Sequence, residues 1–492
     1  MHTLSTPLDV VQWLRSQGCT ALASDSRAVT AGDAFIAWPG AAVDARRFVP
    51  QALTQGALAC LVEQDGAGAF DLPTDVVGSY AGLKADTGSI ASAFYGEPSQ
   101  SLAMVAITGT NGKTSTAWWL AQALSALPAG QALPCGVIGT LGVGRPPVVE
   151  STGLTTPDPV LLQKTLRQFV DDGLRACAIE ASSIGIEEHR LQGMAVRVAV
   201  LTNFTQDHLD YHGSMQTYWQ AKRKLFGWPG LAHAVLNIDD PQGLVLADEL
   251  ADSALDVWTT SVQQPARLQA RNVRHNAHGM VFDVVEGTAV HTLQSQAVGL
   301  YNVSNLLGVI ASMRCLGVAL DAAVQACAAL RPVPGRMECL GGEQAPLVAV
   351  DYAHTPDALA QALLALRPIA QERGGQLWCV FGCGGDRDAS KRPLMGAIAV
   401  QQADRVVVTS DNPRSEKPEA ILAQILLGMV DAKGVDVDVD RAQAIRQAVL
   451  GAQSQDVILV AGKGHEATQD IAGTKHVFSD RAHVALALEA RA

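Results

Sequence analysis

Short apolar runs and longer stretches with helical spacing alternate along most of this chain. The run Leu102 to Thr108 (LAMVAIT) is rich in strand formers and stops at Gly109; apolar positions at helical spacing follow from near Thr114 through Trp118, Leu120 and Leu124. That is the pattern of a strand, a tight loop and a helix. Further runs at 176–179, 196–201 and 234–236 are separated by helix-like stretches. Strands alternating with helices imply βαβ units and a mostly parallel sheet. In such sheets ligands sit beyond the carboxyl ends of the strands, and the polar clusters of this chain fall just after its apolar runs.

Punctuation divides the chain into three expected domains. Residues 1–98 carry turn-rich loops at Asp25-Ser26-Arg27 and Gly32-Asp33 between short strands, which predicts a small mixed α/β N-terminal domain. Residues 99–330 hold the first alternating set, expected to be a central P-loop-type mononucleotide-binding domain with a mostly parallel sheet. Two prolines and a glycine interrupt the chain at Arg331-Pro332-Val333-Pro334-Gly335. A second set of runs at 347–350, 377–381, 406–409 and 457–460 then predicts a C-terminal Rossmann-like α/β domain over 331–492. Length agrees, since 492 residues exceed one core and suggest roughly three domains of about 150 residues.

Composition narrows the function classes. With 48% apolar and 17% charged residues the chain is globular. The formal net charge of −12 argues against a nucleic-acid binder, which wants a basic face. It leaves room for an anionic small molecule held by a local group of Arg and Lys. The nine cysteines form no C-x-x-C pair, and Cys379 and Cys383 have no partner pair downstream, so buried reduced thiols are expected rather than a zinc site. No signal peptide is evident from Met1 to Val10, and no apolar run is long enough to span a membrane; a cytoplasmic protein is expected.

Gly109-Thr110-Asn111-Gly112-Lys113-Thr114 is the sharpest local signal. Glycines let backbone N–H groups approach phosphate oxygens, the lysine adds charge, and the threonine hydroxyl can sit on Mg²⁺. The helix N-terminus adds its dipole. The full G-x-x-x-x-G-K-[ST] pattern would need glycine where Ile107 stands, so the match is to a shorter form. A chance G-K-T in a loop is common, but this one sits between a clear strand and a clear helix. The loop by itself does not separate a transport ATPase, a GTPase switch, a kinase and a ligase.

Glu180 ends the next run and opens Glu180-Ala181-Ser182-Ser183, where a carboxylate could hold Mg²⁺ opposite the phosphate loop or merely begin a capped helix. Asp207, His208, Asp210 and His212 are dense for a surface loop, although a histidine there is often only solvated. Lys222, within Tyr218-Trp219-Gln220-Ala221-Lys222, has little on its own to distinguish it from a solvated helix residue.

With these clusters in order, the chain resembles the Mur ligases, cytoplasmic enzymes that extend the peptide of the peptidoglycan precursor. The resemblance runs through T-G-T-N-G-K-T (108–114), E-A-S-S (180–183), N-F-T-Q-D-H-L-D-Y-H-G (203–213), Tyr218 to Lys222, G-L-Y-N-V-S-N (299–305), P-G-R-M-E (334–338) and D-Y-A-H-T-P-D (351–357). Gly384-Gly385-Asp386-Arg387-Asp388, continuing to Lys391-Arg392-Pro393, and Asp411-Asn412-Pro413-Arg414 resemble the branch that adds meso-diaminopimelate to UDP-N-acetylmuramoyl-L-alanyl-D-glutamate. Diaminopimelate carries a carboxylate where lysine has none, and a guanidinium can hold it by paired charge-assisted hydrogen bonds.

The resemblance implies roles residue by residue. Gly109, Thr110, Asn111, Gly112, Lys113, Thr114 and Ser115, with Asn302, Arg336, Asp351 and His354, would contact ATP. Thr114, Glu180, His208 and Lys222 would serve Mg²⁺, with Lys222 as an N6-carboxylysine, and Lys113, Lys222, His208 and Glu180 would be the catalytic set. Ser24, Ser26, Thr155, Thr156, Ser182, Glu188 and Arg190 would hold the UDP-sugar-peptide, chiefly against domain 1–98. Arg392, Asp411, Asn412, Pro413, Arg414, Gly462 and Glu466 would bind diaminopimelate on domain 331–492. The chain departs from the pattern at Glu188, where relatives often have Gln, and at Ala41-Ala42-Val43, bland for a uridine loop. A monomer is expected. The rivals are a folylpolyglutamate- or cyanophycin-type ligase, which the D-N-P-R segment disfavours, and a P-loop transport ATPase, which needs no amino-acid pocket.

Overall fold

The computed structural model describes residues 1–492 except 41–42, 277–278, 431 and 492. Ala41 and Ala42 therefore lie outside the described residues, while Val43 beside them is exposed. Three α/β units follow one another. The first sheet has five strands, all parallel, in the order His2–Leu4, Val77–Tyr80, Ala59–Glu63, Asp33–Ala37, Ala21–Ala23.

The central sheet has eleven strands. Its middle is parallel, and Ala103–Thr108 lies between Ala176–Glu180 and Val198–Leu201. Glu180 pairs in register with Ile107, and Leu201 with Thr108, so three loops leave the sheet at one level. Three antiparallel strands, Leu268–Asn276, Gly279–Glu286 and Ala289–Ser295, extend one edge. The alternation of runs and helices gave no hint of that ribbon, whose strands are close neighbours in sequence. Helix Lys113–Ser125 is buried on nearly all sides, as expected for a helix that is apolar all round. It packs between the sheet and helix Leu300–Cys315 in one large core.

The last sheet runs Glu338–Gly341, Leu347–Asp351, Val457–Ala461, Leu377–Phe381, Arg405–Val408, Val435–Val437, and only its first pair is antiparallel. Strands Val457–Ala461, Leu377–Phe381 and Arg405–Val408 are neighbours, so segments 462–466, 382–392 and 409–414 emerge together. Arg441, fully buried, ties two of these ends: its guanidinium donates to Ser410 O at 3.2 Å and Ala461 O at 2.9 Å. It is paired with Asp480, itself fully buried, at 2.7 Å. Removing one partner of such a pair strands the other charge, at about 3–5 kcal/mol. Eight of the nine cysteines are buried and none is paired. Among the described residues no helix is long and apolar enough to cross a membrane.

Candidate functional site

Gly112 caps helix Lys113–Ser125 at φ 83, and a Cβ there would strike the Asn305 amide, so the loop needs glycine. Lys113 Nζ donates to the carbonyls of Gly109 and Thr110, each at 2.8 Å. Burial lowers its pKa from the usual lysine value, partly countered by Glu180 and Asp207. Glu180 is 1% exposed. Its carboxylate accepts from Thr114 Oγ1 at 3.0 Å, Thr140 N at 2.8 Å and Thr140 Oγ1 at 3.2 Å. Lys222 is equally buried; its Nζ donates to Gly109 O at 2.7 Å and lies 4.5 Å from the Tyr218 ring centroid. Burial, with Lys113 nearby, holds that amine well below the usual lysine range.

The third domain closes the other side of this cleft. Arg336 stacks over Tyr352 at 4.2 Å and donates from Nη2 to Thr114 Oγ1 at 3.1 Å. Asn111 Nδ2 donates to Asp357 at 3.1 Å. Asp351 accepts from Met337 N at 2.7 Å and Ala353 N at 2.8 Å, and burial raises its pKa. Asn302 is fixed by Val298 O at 2.8 Å and by the Asn305 amide at 3.1 Å. Burial, helped by Lys391, brings His354 down to about 4. Asp207 sits 3.5 Å from His208 and 3.9 Å from His354. Burial raises its pKa, but His354, His208 and Lys391 outweigh that and bring it to about 2. His208 itself is lowered by burial.

One cleft with about 1180 Å³ of open space is lined by Thr110 through Ser115, Thr155, Glu180, Ser182, His208, Lys222, Asn302, Arg336, Asp351 and His354. Gly109 does not line it but accepts at its carbonyl from Lys113 and Lys222, which do. Beside it, Thr156 Oγ1 donates to Glu180 O and contacts Ser182 Oγ, at 2.8 and 2.9 Å, while Arg190 donates to Thr156 O at 2.9 Å. Glu188 is engaged by Lys84 and by Tyr211 OH, both at 2.6 Å, and the Lys84 bond is the first cause of its lowered pKa. An ammonium thus offsets the carboxylate at this departure from the family pattern. Ser24 is farther along, donating to Asp158 at 2.8 Å and bridging the first two domains; Ser26 is buried nearby.

The residues expected around the amino acid form a second cluster that does not line this cleft. The two meet where Tyr352 packs on His465, ring centroids 5.3 Å apart. Asn412 donates to Glu466 at 2.7 Å, and Lys463 Nζ donates to Asn412 Oδ1 at 2.9 Å, Glu466 at 2.8 Å and Thr468 O at 2.8 Å. Lys463 leads the effects that lower Glu466 against its partial burial. Gly462, at φ 116, lets the backbone pass where a Cβ would meet the Asp411 carboxylate, whose pKa burial raises. Pro413 abuts Gly385, and Arg414 donates to Gly385 O at 2.6 Å.

Arg392 behaves otherwise than expected of a ligand-binding arginine. It is 1% exposed, pairs with both oxygens of Glu416 at 2.8 and 2.7 Å, and also donates to Gln424 at 2.7 Å and Gly384 O at 3.0 Å. That guanidinium is committed to protein groups. Arg387 in the same segment is exposed, with one bond to the neighbouring Asp386 O at 3.0 Å. Both Arg387 and Arg414 come close to Gly384. Spacing carried a signal: Arg392, Met395, Gly396 and Ala399 recur at three and four residues, and they share the buried face of helix Lys391–Gln402. Arg387 falls within one of the sequence motifs but had no role implied by it, and Lys463 and Glu416 lie outside every motif.

A phosphate loop faces a carboxylate in one cleft and a separate charged cluster sits on a Rossmann-like domain; together with the likeness to named ligases, this makes the chain a three-domain ATP-dependent amide-forming ligase. Residues 107–313 match the Mur ligase middle domain, and residues 335–464 match the Mur ligase, glutamate ligase domain. The chain belongs to the Mur ligase family. It is 59% identical to the UDP-N-acetylmuramoyl-L-alanyl-D-glutamate–2,6-diaminopimelate ligase of Acidovorax sp. (strain JS42), over 100% of this chain and 99% of that one. It is 48% identical to the protein of the same name from Janthinobacterium sp. (strain Marseille), over 99% and 98%. A solved structure of a ligase of that name superposes with a TM-score of 0.66 at 35% identity, covering 96% of this chain and 95% of that one.

Proposed function

We propose that this chain uses ATP to join the D-glutamyl carboxylate of UDP-N-acetylmuramoyl-L-alanyl-D-glutamate to an amine of meso-2,6-diaminopimelate, a step of peptidoglycan precursor synthesis. The observation that carries the reading is a cluster with both signs of charge, in which Asn412 donates to Glu466 and is followed two residues on by Arg414, in a chain alike over its full length to ligases of that name. The far end of diaminopimelate is a carboxylate and an ammonium on one carbon. Arg414, with exposed Arg387 beside it, suits the carboxylate, and Glu466 suits the ammonium. Lysine would leave the guanidinium without a carboxylate partner, its bond to Gly385 O apart, and sites built to hydrogen-bond a group reject analogues that lack it.

In the reaction, a glutamyl carboxylate oxygen attacks the γ-phosphorus of ATP, giving an acyl phosphate and ADP. The diaminopimelate amine then attacks the acyl carbon; phosphate leaves and the amine proton is lost. Lys113 and Arg336 would meet the negative charge that builds on the transferring group. Glu180 and Thr114 Oγ1, hard oxygen donors 3.0 Å apart beside the loop, fit Mg²⁺, which when bound would neutralise phosphate charge. Lys222 would carry CO₂ as a carbamate. Thr155, Thr156, Ser182, Glu188 and Arg190, with Ser24 and Ser26 on the first domain, would hold the UDP-sugar-peptide. The domain roles follow: residues 1–98 for the UDP end, 99–330 for ATP and 331–492 for the amino acid. ATP and UDP-linked precursors are cytoplasmic, and a monomer contains every group this chemistry uses.

An assay of ADP release tests the reading. Release is expected only when both the UDP-dipeptide and diaminopimelate are present; release with neither would make the chain a simple ATPase. In the same assay Arg414→Ala is expected to raise KM for diaminopimelate by about tenfold or more, the loss of a charge-assisted pair, with KM for ATP unchanged. Equal changes in both would remove the role given to Arg414.

A further inference from the structure

The D-N-P-R segment leaves its strand as irregular backbone, and such backbone needs hydrogen-bond partners. They come from a stretch that no motif marks. Thr468–Ile471 and Thr474–Val477 form a hairpin that is a two-stranded sheet of its own. Its first strand lies along the segment. Gln469 Nε2 donates to Asp411 O at 2.7 Å, and Asp470 N donates to Asn412 Oδ1 at 3.0 Å. Arg414 N donates to Asp470 O at 3.0 Å, and Ala472 N donates to Arg414 O at 2.7 Å, pairing Arg414 with Ile471 as a parallel bridge. Arg414 itself has φ 52, left-handed backbone that a long side chain adopts only where its surroundings over-determine it. Both of its backbone hydrogen-bonding groups are spent on the hairpin.

We infer that the hairpin 468–477 is the positioning element for Arg414: by fixing its left-handed backbone it aims the guanidinium and so sets discrimination between diaminopimelate and lysine. This rests on the role given to Arg414 above. The hairpin supplies no reacting group. Its turn shows where to test it. Ala472 and Gly473 have φ 51 and 78, a two-residue turn with both positions left-handed, which favours Asn or Gly first. Ala472 is exposed, yet its N–H holds Arg414. Proline there removes the N–H and cannot take that φ, whereas asparagine keeps the one and suits the other.

Ala472→Pro, Ala472→Asn, Gln469→Leu and Arg414→Ala are compared by KM for diaminopimelate, KM for ATP, and the ratio of kcat/KM for diaminopimelate over lysine. Ala472→Pro is expected to raise KM for diaminopimelate by about tenfold, the scale of one misaligned charge-assisted bond, and to lower the ratio in step, with KM for ATP unchanged. Ala472→Asn should keep wild-type values, and Gln469→Leu, which leaves the turn alone, should shift the same two quantities less. Wild-type selectivity in Ala472→Pro and Gln469→Leu, beside a defective Arg414→Ala, overturns the hairpin's role alone. A uniform loss towards ATP and diamino acid in both hairpin variants overturns it too, by making the hairpin a general support. An unaffected Arg414→Ala takes down the reading of the arginine itself.

Discussion

Lys222→Ala is expected to lose turnover on the order of a thousandfold, with partial recovery when acetate or propionate is added. A lysine 1% exposed, with one carbonyl partner at 2.7 Å and the half-buried Lys113 nearby, is in an unfavourable place for an ammonium. Burial favours the neutral amine form, which would add CO₂: a nitrogen–carbon bond would form, a proton would leave to solvent, and an anion would stand in place of a cation. That anion would attract Lys113 instead of repelling it. Truncation to alanine deletes the carboxylate and opens space beside the Tyr218 ring, which a small carboxylate can enter. Steady-state rates with and without added carboxylate check this. A nearly wild-type rate in the variant removes the carbamate from the account; a loss that no carboxylate relieves would mean the side chain serves only to pack the loop.

Lys113→Met is expected to lower kcat/KM for ATP on the order of a thousandfold while leaving KM for diaminopimelate within about twofold. The ammonium now holds the carbonyls of Gly109 and Thr110 at 2.8 Å each, so it lies within the curl of the phosphate loop. Methionine has similar length and no charge, and the helix behind it stays anchored by its buried face. Calorimetric ATP binding and steady-state kinetics separate the two contributions. A rate close to wild type would show that phosphate charge is met elsewhere, and a parallel loss for diaminopimelate would show that the loop lysine supports the whole cleft.

The phosphate loop was legible because its chemistry is local. Strand, glycines, lysine and helix are consecutive, and the observed elements Ala103–Thr108 and Lys113–Ser125 fall where spacing put them. The strand runs of the third domain are legible for the same reason, as at Leu377–Phe381. The burial of Lys222 was less open, although Tyr218, Ala221 and Lys222 are buried on one helical face at spacings of three and four. What a guanidinium touches is a tertiary matter. Arg392 sits in the expected motif, but Glu416 and Gln424, from a later part of the chain, engage it. The hairpin 468–477 has few apolar residues and one fully exposed strand, so periodicity does not mark it, and its contact with Arg414 joins residues far apart in sequence.

The most direct test is a mass measurement of product. The chain, ATP, UDP-N-acetylmuramoyl-L-alanyl-D-glutamate and an equimolar mixture of meso-diaminopimelate and lysine are incubated and the UDP-linked species weighed. The account predicts a UDP-tripeptide heavier by diaminopimelate less one water, with ADP and phosphate each equal to it in amount. ADP without any new UDP-peptide, or a product carrying lysine as readily as diaminopimelate, would contradict it.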